Sequence, residues 1–173
     1  MKYKVTGGQK RGDNCLVCGF ANRHSLGMDF WELENGELAS LVSIRPEHQS
    51  YPGRTHGGII TAMLDEVIGR AVCIEDRHCW GVTTEINVKF KKPVPLEETV
   101  LVVGRVTRNR SRMFEGTGEI YAADGTLLAS AAATYMKMSV DRISQGGSAL
   151  LTEDTWRFCH DPADMPDYIE LPY

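Results

Sequence analysis

One amphipathic segment, which begins at His56-Gly57-Gly58, constrains the fold of this chain more than any other feature. Apolar residues follow it at the three–four spacing of a helix with a wide buried stripe: Ile60, Met63, Leu64, Val67, Ile68, Ala71 and Val72. The pattern predicts a helix over residues 57–73. Because so broad an apolar face must be covered, we expect a sheet to pack around this helix.

The start of this helix suits acyl-transfer chemistry. A His-Gly-Gly start leaves backbone N–H groups unpaired at the partially positive end of a helix, and glycine lets another molecule approach them. Asp65 follows about two turns later at the edge of the apolar stripe, where a carboxylate can serve as a base or a nucleophile. We expect Asp65, His56 and the N–H donors to lie a few Å apart in one cleft. Two plainer readings stay open: Gly-Gly as a tight turn, and Asp65 on a solvated face.

Length and composition limit the class of protein. With 173 residues and no internal repeat, we expect one domain with a sizeable core. A net charge of −4, without a run of basic and aromatic residues, argues against nucleic acid as a partner. Residues 1–14 are polar, which predicts neither a signal peptide nor a membrane span. Five scattered cysteines favour the reducing cytoplasm over a disulfide framework.

Six strands are predicted around the helix. Two of them, 28–33 and 38–45, flank an Asn35-Gly36 hairpin turn before the helix. Four follow it, at 82–90, 99–107, 113–122 and 127–138, and the first of these alternates apolar and polar residues. The small residues Ala131-Ala132-Ala133 indicate a helix packed closely on the last strand. We therefore expect an α+β domain, an antiparallel sheet wrapped around one long helix, over residues 28–138, with irregular extensions at 1–27 and 139–173.

This element order, together with His-Gly-Gly-x6-Asp, resembles the hotdog fold and, within it, the PaaI-like acyl-CoA thioesterases. The resemblance covers roughly residues 15–138. It rests on Cys15-Leu16-Val17-Cys18-Gly19, on the stretches 49–58 and 81–88, and on the turns Val94-Pro95-Leu96 and Asp124-Gly125. The chain departs from the family at Asn22-Arg23-His24-Ser25-Leu26, where many members have Asn-Pro-x-Gly-Leu. It also has Ser50 six residues before the histidine, where some relatives have Asn.

The resemblance implies hydrolysis of an acyl-CoA thioester to free acid and coenzyme A, without a metal or cofactor. Asp65 would act as general base or nucleophile, and the two roles stay open. The Gly57 N–H, aided by Gly58, would stabilise the oxyanion. His56 would orient the carbonyl or, alternatively, bond the loop at Pro52-Gly53. Two further contacts are expected: Thr83, or Thr84 in its place, would hold the water or the carboxylate, and Ser50 could donate a hydrogen bond.

The resemblance also implies a site shared between two subunits, hence a homodimer or homotetramer. The pantetheine arm of the substrate would enter between the subunits. Its phosphates would lie near surface cations, for which the candidates are Lys91, Lys92, Arg108, Arg110 and Arg112.

Other interpretations remain at this stage. Cys15 and Cys18 could bind zinc together with His24, or with Cys159-His160, although two thiols at the Gly19 turn are the simpler interpretation. A hotdog dehydratase acting on hydroxyacyl thioesters and a non-catalytic acyl-CoA-binding module are the alternative functions.

Overall fold

A computed structural model of the chain describes residues 1–145, 151–152 and 154–173. Two sheets and one long helix make up its architecture. The helices are α1 (Gly57–Ala71) and the short α2 (Val140–Ile143), and 3-10 turns span Pro46–His48, Val72–Ile74 and Pro162–Asp164. The strands are β1 (Lys2–Gly8), β2 (Arg11–Gly12), β3 (Trp31–Leu33), β4 (Leu38–Ser43), β5 (Trp80–Phe90), β6 (Thr99–Asn109), β7 (Met113–Tyr121), β8 (Leu127–Met138), β9 (Trp156–Arg157) and β10 (Tyr168–Glu170). Within the described ranges, no helix has the length and apolar character needed to cross a bilayer.

The main sheet is antiparallel and has eight strands in the order β10-β1-β3-β4-β6-β7-β8-β5, while β2 and β9 form a small second sheet. Helix α1 packs against strands β4 to β8 of the main sheet. Its buried residues are those of the predicted stripe: Ile60, Met63, Leu64, Val67, Ile68 and Ala71. The predicted sheet wrapped around one long helix is confirmed.

The helix lies very close to the middle of the sheet, where the facing residues are small. Gly104 on β6 pairs with Gly118 on β7, which pairs in turn with Ala131 on β8. A Cβ on Gly104 would lie 2.7 Å from the backbone of Val67, and one on Gly118 would lie 2.9 Å from the Ile68 side chain. Larger residues here would push the helix off the sheet, which explains the buried Ala131 and Ala133 in β8 but not the exposed Ala132.

Both ends of the chain, expected to be irregular, add strands to the main sheet. Strand β1 pairs with β3 on one side and with β10 on the other. Val5 and Ile169 are buried in a second small core on this side of the sheet. The expectation was wrong for these stretches: β10 has only three residues, too few to show a period, and the seven-residue β1 is held by its pairing with β3 and β10. Residues 146–150 and 153 of the predicted C-terminal extension lie outside the described residues.

A β-bulge interrupts the alternation predicted for residues 82–90. The register between β5 and β8 shifts between Thr83 and Glu85. Strict alternation would place Thr83 and Ile86 on opposite faces of the sheet. With the bulge, Thr83 bonds to the helix while Ile86 packs against the main core. The extra residue therefore turns the Thr83 hydroxyl towards α1.

Candidate active site

Asp65, on the second half of α1, is the centre of a hydrogen-bonded cluster that joins the helix to the sheet. Its Oδ1 accepts a hydrogen bond from the Thr83 hydroxyl at 2.8 Å and another from the Tyr135 hydroxyl at 3.0 Å. The Tyr135 hydroxyl also lies 2.9 Å from the Asp65 carbonyl oxygen. Two donors on one carboxylate oxygen fix the orientation of the group and leave Oδ2 without a bond to any described residue.

Tyr135 is a site residue that the sequence reasoning missed. It lies on β8 directly opposite Thr83, is buried, and stacks on Phe114 with ring centroids 4.7 Å apart. Burial, with the nearby Asp65 charge, raises the pKa of Tyr135, so the phenol keeps its proton and acts as a donor. The only sequence signal was an aromatic residue alone among the small and aliphatic residues of β8.

A cavity of about 480 Å³ opens beside this cluster, and Asp65, Thr83 and Tyr135 all line it. Its size is that of a small-molecule site. Both terminal segments contribute to its walls, together with the second half of α1 and the start of β5: Gly8, Gln9, Lys10, Cys15, Glu66, Arg70, Trp80, Trp156 and Phe158 are among the lining residues. The extensions, for which the sequence indicated no role, therefore shape this cavity.

His56 and Gly57 do not join this cluster within one chain. Asp65 lies eight positions after Gly57 on α1, which corresponds to about 12 Å along the helix axis. Neither His56 nor Gly57 lines the cavity. The expected convergence of Asp65 with these groups a few Å away is therefore wrong for a single chain, because both lie on one straight helix.

The start of α1 nevertheless offers donors to a ligand. The His56 Nδ1 caps the helix by accepting the Gly58 N–H at 2.9 Å, so Gly58 is not available as the second oxyanion donor. Because Nδ1 is the acceptor, the neutral ring carries its proton on Nε2. The Gly57 N–H has no acceptor among the described residues. His56 does not bond the Pro52-Gly53 loop, where the Gly53 N–H donates to the Gln49 side chain.

The structure separates the two candidate threonines. The Thr84 hydroxyl donates to the Thr134 carbonyl oxygen at 3.0 Å, so it bonds the neighbouring strand rather than Asp65. Ser50 is exposed in the loop before α1, where its N–H bonds the Arg54 carbonyl oxygen, and it does not line the cavity. Thr83 is therefore the threonine in contact with Asp65.

This difference gives a matched pair of variants. Thr83→Val keeps the shape of the side chain but removes a hydrogen bond to a carboxylate, which is worth about 1.5–3 kcal/mol. We expect kcat for a substrate of this site to fall roughly tenfold or more, while Thr84→Val stays within about twofold of wild type. Steady-state kinetics of the two variants measure the difference. Equal losses in both would contradict a specific role for Thr83.

The arginine cluster lies at the turn between β6 and β7. The Arg108 guanidinium is 3.6 Å from Glu115, while the exposed side chains of Arg110 and Arg112 have no partner among the described residues. Met136 pairs with Met113 after this turn and with Val82 on β5, so the turn and Thr83 share one end of the sheet. Lys91 and Lys92 follow the other end of β5.

The two zinc-ligand sets suggested by the sequence do not assemble in the described part of the chain. The sulfur atoms of Cys15 and Cys18 lie near a Glu66 carboxylate oxygen, with each of the three atoms within 4.8 Å of the others. His24 accepts a hydrogen bond from Arg23, and His160 pairs with Asp29. The alternative in which His24 or Cys159-His160 completes a zinc site with Cys15 and Cys18 is therefore not supported among the described residues.

Comparisons with known proteins agree with this fold. Residues 52–129 match the model of the family described as "Thioesterase superfamily". Acyl-coenzyme A thioesterase THEM4 of Xenopus laevis is 28% identical over 111 residues, 63% of this chain and 49% of that protein. The chain thus matches only about half the length of this relative.

Solved structures show the same architecture. The PaaI protein of E. coli superposes with a TM-score of 0.60 at 15% identity, covering 66% of this chain and 81% of that one. The smu.793 protein of Streptococcus mutans, solved bound to acetyl CoA, gives 0.58 at 21% identity over 65% and 89% of the two chains. The sheet and its single long helix are a hotdog fold. Within the chain, the similarity to the thioesterase superfamily is carried by residues 52–129.

Proposed function

We propose that this protein is an acyl-CoA thioesterase, which hydrolyses the thioester of an acyl-coenzyme A to free acid and coenzyme A. The observation that carries the proposal is the Asp65 carboxylate, held by Thr83 and Tyr135 in the wall of a cavity of ligand size. Two comparisons support it: a relative named as an acyl-coenzyme A thioesterase, and a structural neighbour solved with acetyl CoA.

In the proposed mechanism, Thr83 and Tyr135 hold Oδ1 of Asp65, so Oδ2 faces the reacting atoms. This oxygen either takes a proton from the attacking water or attacks the carbonyl carbon itself. The negative charge that develops on the thioester oxygen is stabilised by the Gly57 N–H and the His56 Nε2–H. The C–S bond then breaks, and coenzyme A leaves as a thiolate that takes up a proton from solvent. On the base path the free acid is released and Asp65 returns its proton to solvent. On the nucleophilic path water hydrolyses the mixed anhydride left on Asp65, which releases the acid and restores the carboxylate.

The proposed mechanism needs two copies of the chain, because about 12 Å separates Asp65 from Gly57 in one copy. We propose a homodimer, or a homotetramer of two such dimers, in which Gly57 of one copy faces Asp65 of the other. Strand β5 supports this assembly, since it is an edge strand of the main sheet and exposes the side chains of Val82 and Phe90. A Cβ on Gly57 would lie 3.6 Å from the Phe90 ring, so this edge adjoins the start of α1.

Mixing two inactive variants tests the shared site. If Gly57 and Asp65 act across the interface, a hybrid dimer of Gly57→Ala and Asp65→Asn has one site with both changes and one intact site. Unfolding and refolding an equal mixture should then restore about a quarter of the wild-type activity. Light scattering before mixing should give a dimer or tetramer. An inactive mixture, or a monomer at micromolar concentration, would contradict the shared site.

A panel of acyl-CoA substrates tests the activity itself. A thioesterase releases free coenzyme A, which a thiol reagent detects continuously. A dehydratase would instead give an enoyl thioester from a hydroxyacyl-CoA, and a binding module would give neither product. Binding is measured on the same panel of acyl-CoAs. It distinguishes a protein that binds them without hydrolysing them from an enzyme whose own acyl substrate is absent from the panel.

We further propose that Arg108, Arg110 and Arg112 bind the phosphates of coenzyme A, since they lie at the Thr83 end of the sheet. Ser50 would contact the substrate from the loop before α1. The catalytic unit would span residues 28–138, with 1–27 and 139–173 as extensions. A cytoplasmic location agrees with the five cysteines, which are all unpaired in the structure, and imaging of a tagged protein tests it.

A further inference from the structure

Cys15 and Cys18 lie in one tight turn at the wall of the cavity. The Gly19 N–H donates to the Cys15 carbonyl oxygen at 2.9 Å, and a Cβ on Gly19 would clash with that oxygen. Residues three apart in such a turn have Cα atoms within about 7 Å, which is the range that a disulfide spans. Their sulfur atoms already lie within 4.8 Å of each other.

The two thiols have different surroundings. Cys15 is partly exposed and lines the cavity, while Cys18 is fully buried behind it. The Cys15 Sγ accepts the N–H groups of Val17 and Cys18 at 3.3 and 3.4 Å. A hydrogen bond from the Cys18 thiol lowers the pKa of Cys15, and the same bond together with burial raises the pKa of Cys18. Cys15 is therefore the nucleophilic cysteine of the pair, and Cys18 is the resolving cysteine.

Arg70 supplies the positive charge beside the pair. Its Nη2 lies 3.1 Å from the Cys18 Sγ, and its Nε donates to Glu66 at 2.6 Å. The guanidinium is held between the rings of Phe30 and Trp156, 4.6 and 5.0 Å from their centroids. A metal ion bound by the two sulfur atoms and Glu66 would be repelled by the positive Arg70 guanidinium. It would also compete with Arg70 for the Glu66 carboxylate. The arrangement therefore favours thiol chemistry over metal binding.

We propose that Cys15 and Cys18 form a thiol–disulfide exchange site that opens into the cavity and reacts with small-molecule disulfides of the glutathione class. The Cys15 thiolate attacks one sulfur of the disulfide, its S–S bond breaks, and one glutathione leaves as a thiolate. Cys18 then gives up its proton and attacks the Cys15 sulfur, which releases the second glutathione. The protein dithiol is oxidised by two electrons, and the disulfide is reduced to two thiols that carry the two protons.

Thiol mapping of the whole protein tests this site and does not depend on turnover of any acyl-CoA. The reduced protein is incubated with glutathione disulfide, quenched with an alkylating reagent and mapped by mass spectrometry. We expect Cys15 and Cys18 to become protected from alkylation before the other cysteines, because they form a disulfide within one chain. In Cys18→Ser, the exchange should stop at one glutathione bound to Cys15. In Cys15→Ser, Cys18 should stay reduced.

Cys73 is the matched control, because it lines the same cavity but burial raises its pKa to about 11. Cys73→Ser should form the Cys15–Cys18 disulfide at the wild-type rate. Oxidation of Cys73 before Cys15, or no mixed disulfide in Cys18→Ser, would overturn the proposal. Zn²⁺ that binds with one-to-one stoichiometry and protects both cysteines from alkylation would overturn it as well.

Discussion

Asp65→Asn is expected to lower kcat for acyl-CoA hydrolysis by about a hundredfold or more, the range for loss of a general base. The amide oxygen of Asn can still accept hydrogen bonds from Thr83 and Tyr135, so the fold and the cavity are retained. An amide can neither take a proton from water nor attack a carbonyl carbon. Because binding does not use this chemistry, KM should change little. Steady-state kinetics and thermal unfolding of the same preparation measure both effects.

Asp124→Asn is the matched control for this variant. Asp124 is exposed in the turn between β7 and β8, where its carboxylate accepts the Thr126 N–H, and Asn-Gly favours the same turn. Its kcat should equal that of wild type. If Asp65→Asn kept more than about a tenth of the wild-type kcat, Asp65 would not be the catalytic group.

The structure confirms the elements that were predicted from local periodicity. Helix α1 begins at Gly57 as predicted, and β8 spans the predicted residues 127–138. Each of these elements has one apolar face that repeats along the sequence, so a window of residues carries the signal. Strands β1 and β10 pair with each other, and β1 pairs also with β3, so this pairing joins the two ends of the chain. A pattern within a short stretch of sequence cannot show which distant strand that stretch pairs with.

The site was harder to predict than the fold, because it depends on register and assembly. Asp65 and Thr83 were identified from the sequence, but only the bulge in β5 decides between Thr83 and Thr84. Tyr135 reaches Asp65 because β8 pairs with β5 at that residue. The distance from Asp65 to Gly57 follows from helix geometry alone. The family resemblance implied a site shared between two subunits, and because of this distance the proposed mechanism requires one.

Gly57→Ala is expected to lower kcat/KM for acyl-CoA hydrolysis by about a hundredfold while the protein stays folded, since loss of one oxyanion donor costs about 3 kcal/mol. The backbone of Gly57 is not left-handed, and an added Cβ would make only ordinary contact, 3.6 Å from the Phe90 ring. Alanine therefore fits the helix without strain, and its higher helix propensity should keep the melting temperature at or above that of wild type. The same methyl group would occupy the space through which a thioester oxygen reaches the Gly57 N–H.

Gly58→Ala separates this effect from a loss of stability. A Cβ on Gly58 would lie 3.1 Å from the His56 Nδ1, so it would disturb the cap that starts α1. Its melting temperature should fall, and its kcat/KM should fall as well, because the same Cβ would displace the His56 ring that donates to the oxyanion. A large loss of kcat/KM without a fall in melting temperature, seen in Gly57→Ala and not in Gly58→Ala, is the expected signature of a donor at Gly57. A stable and fully active Gly57→Ala would mean that the oxyanion is bound elsewhere.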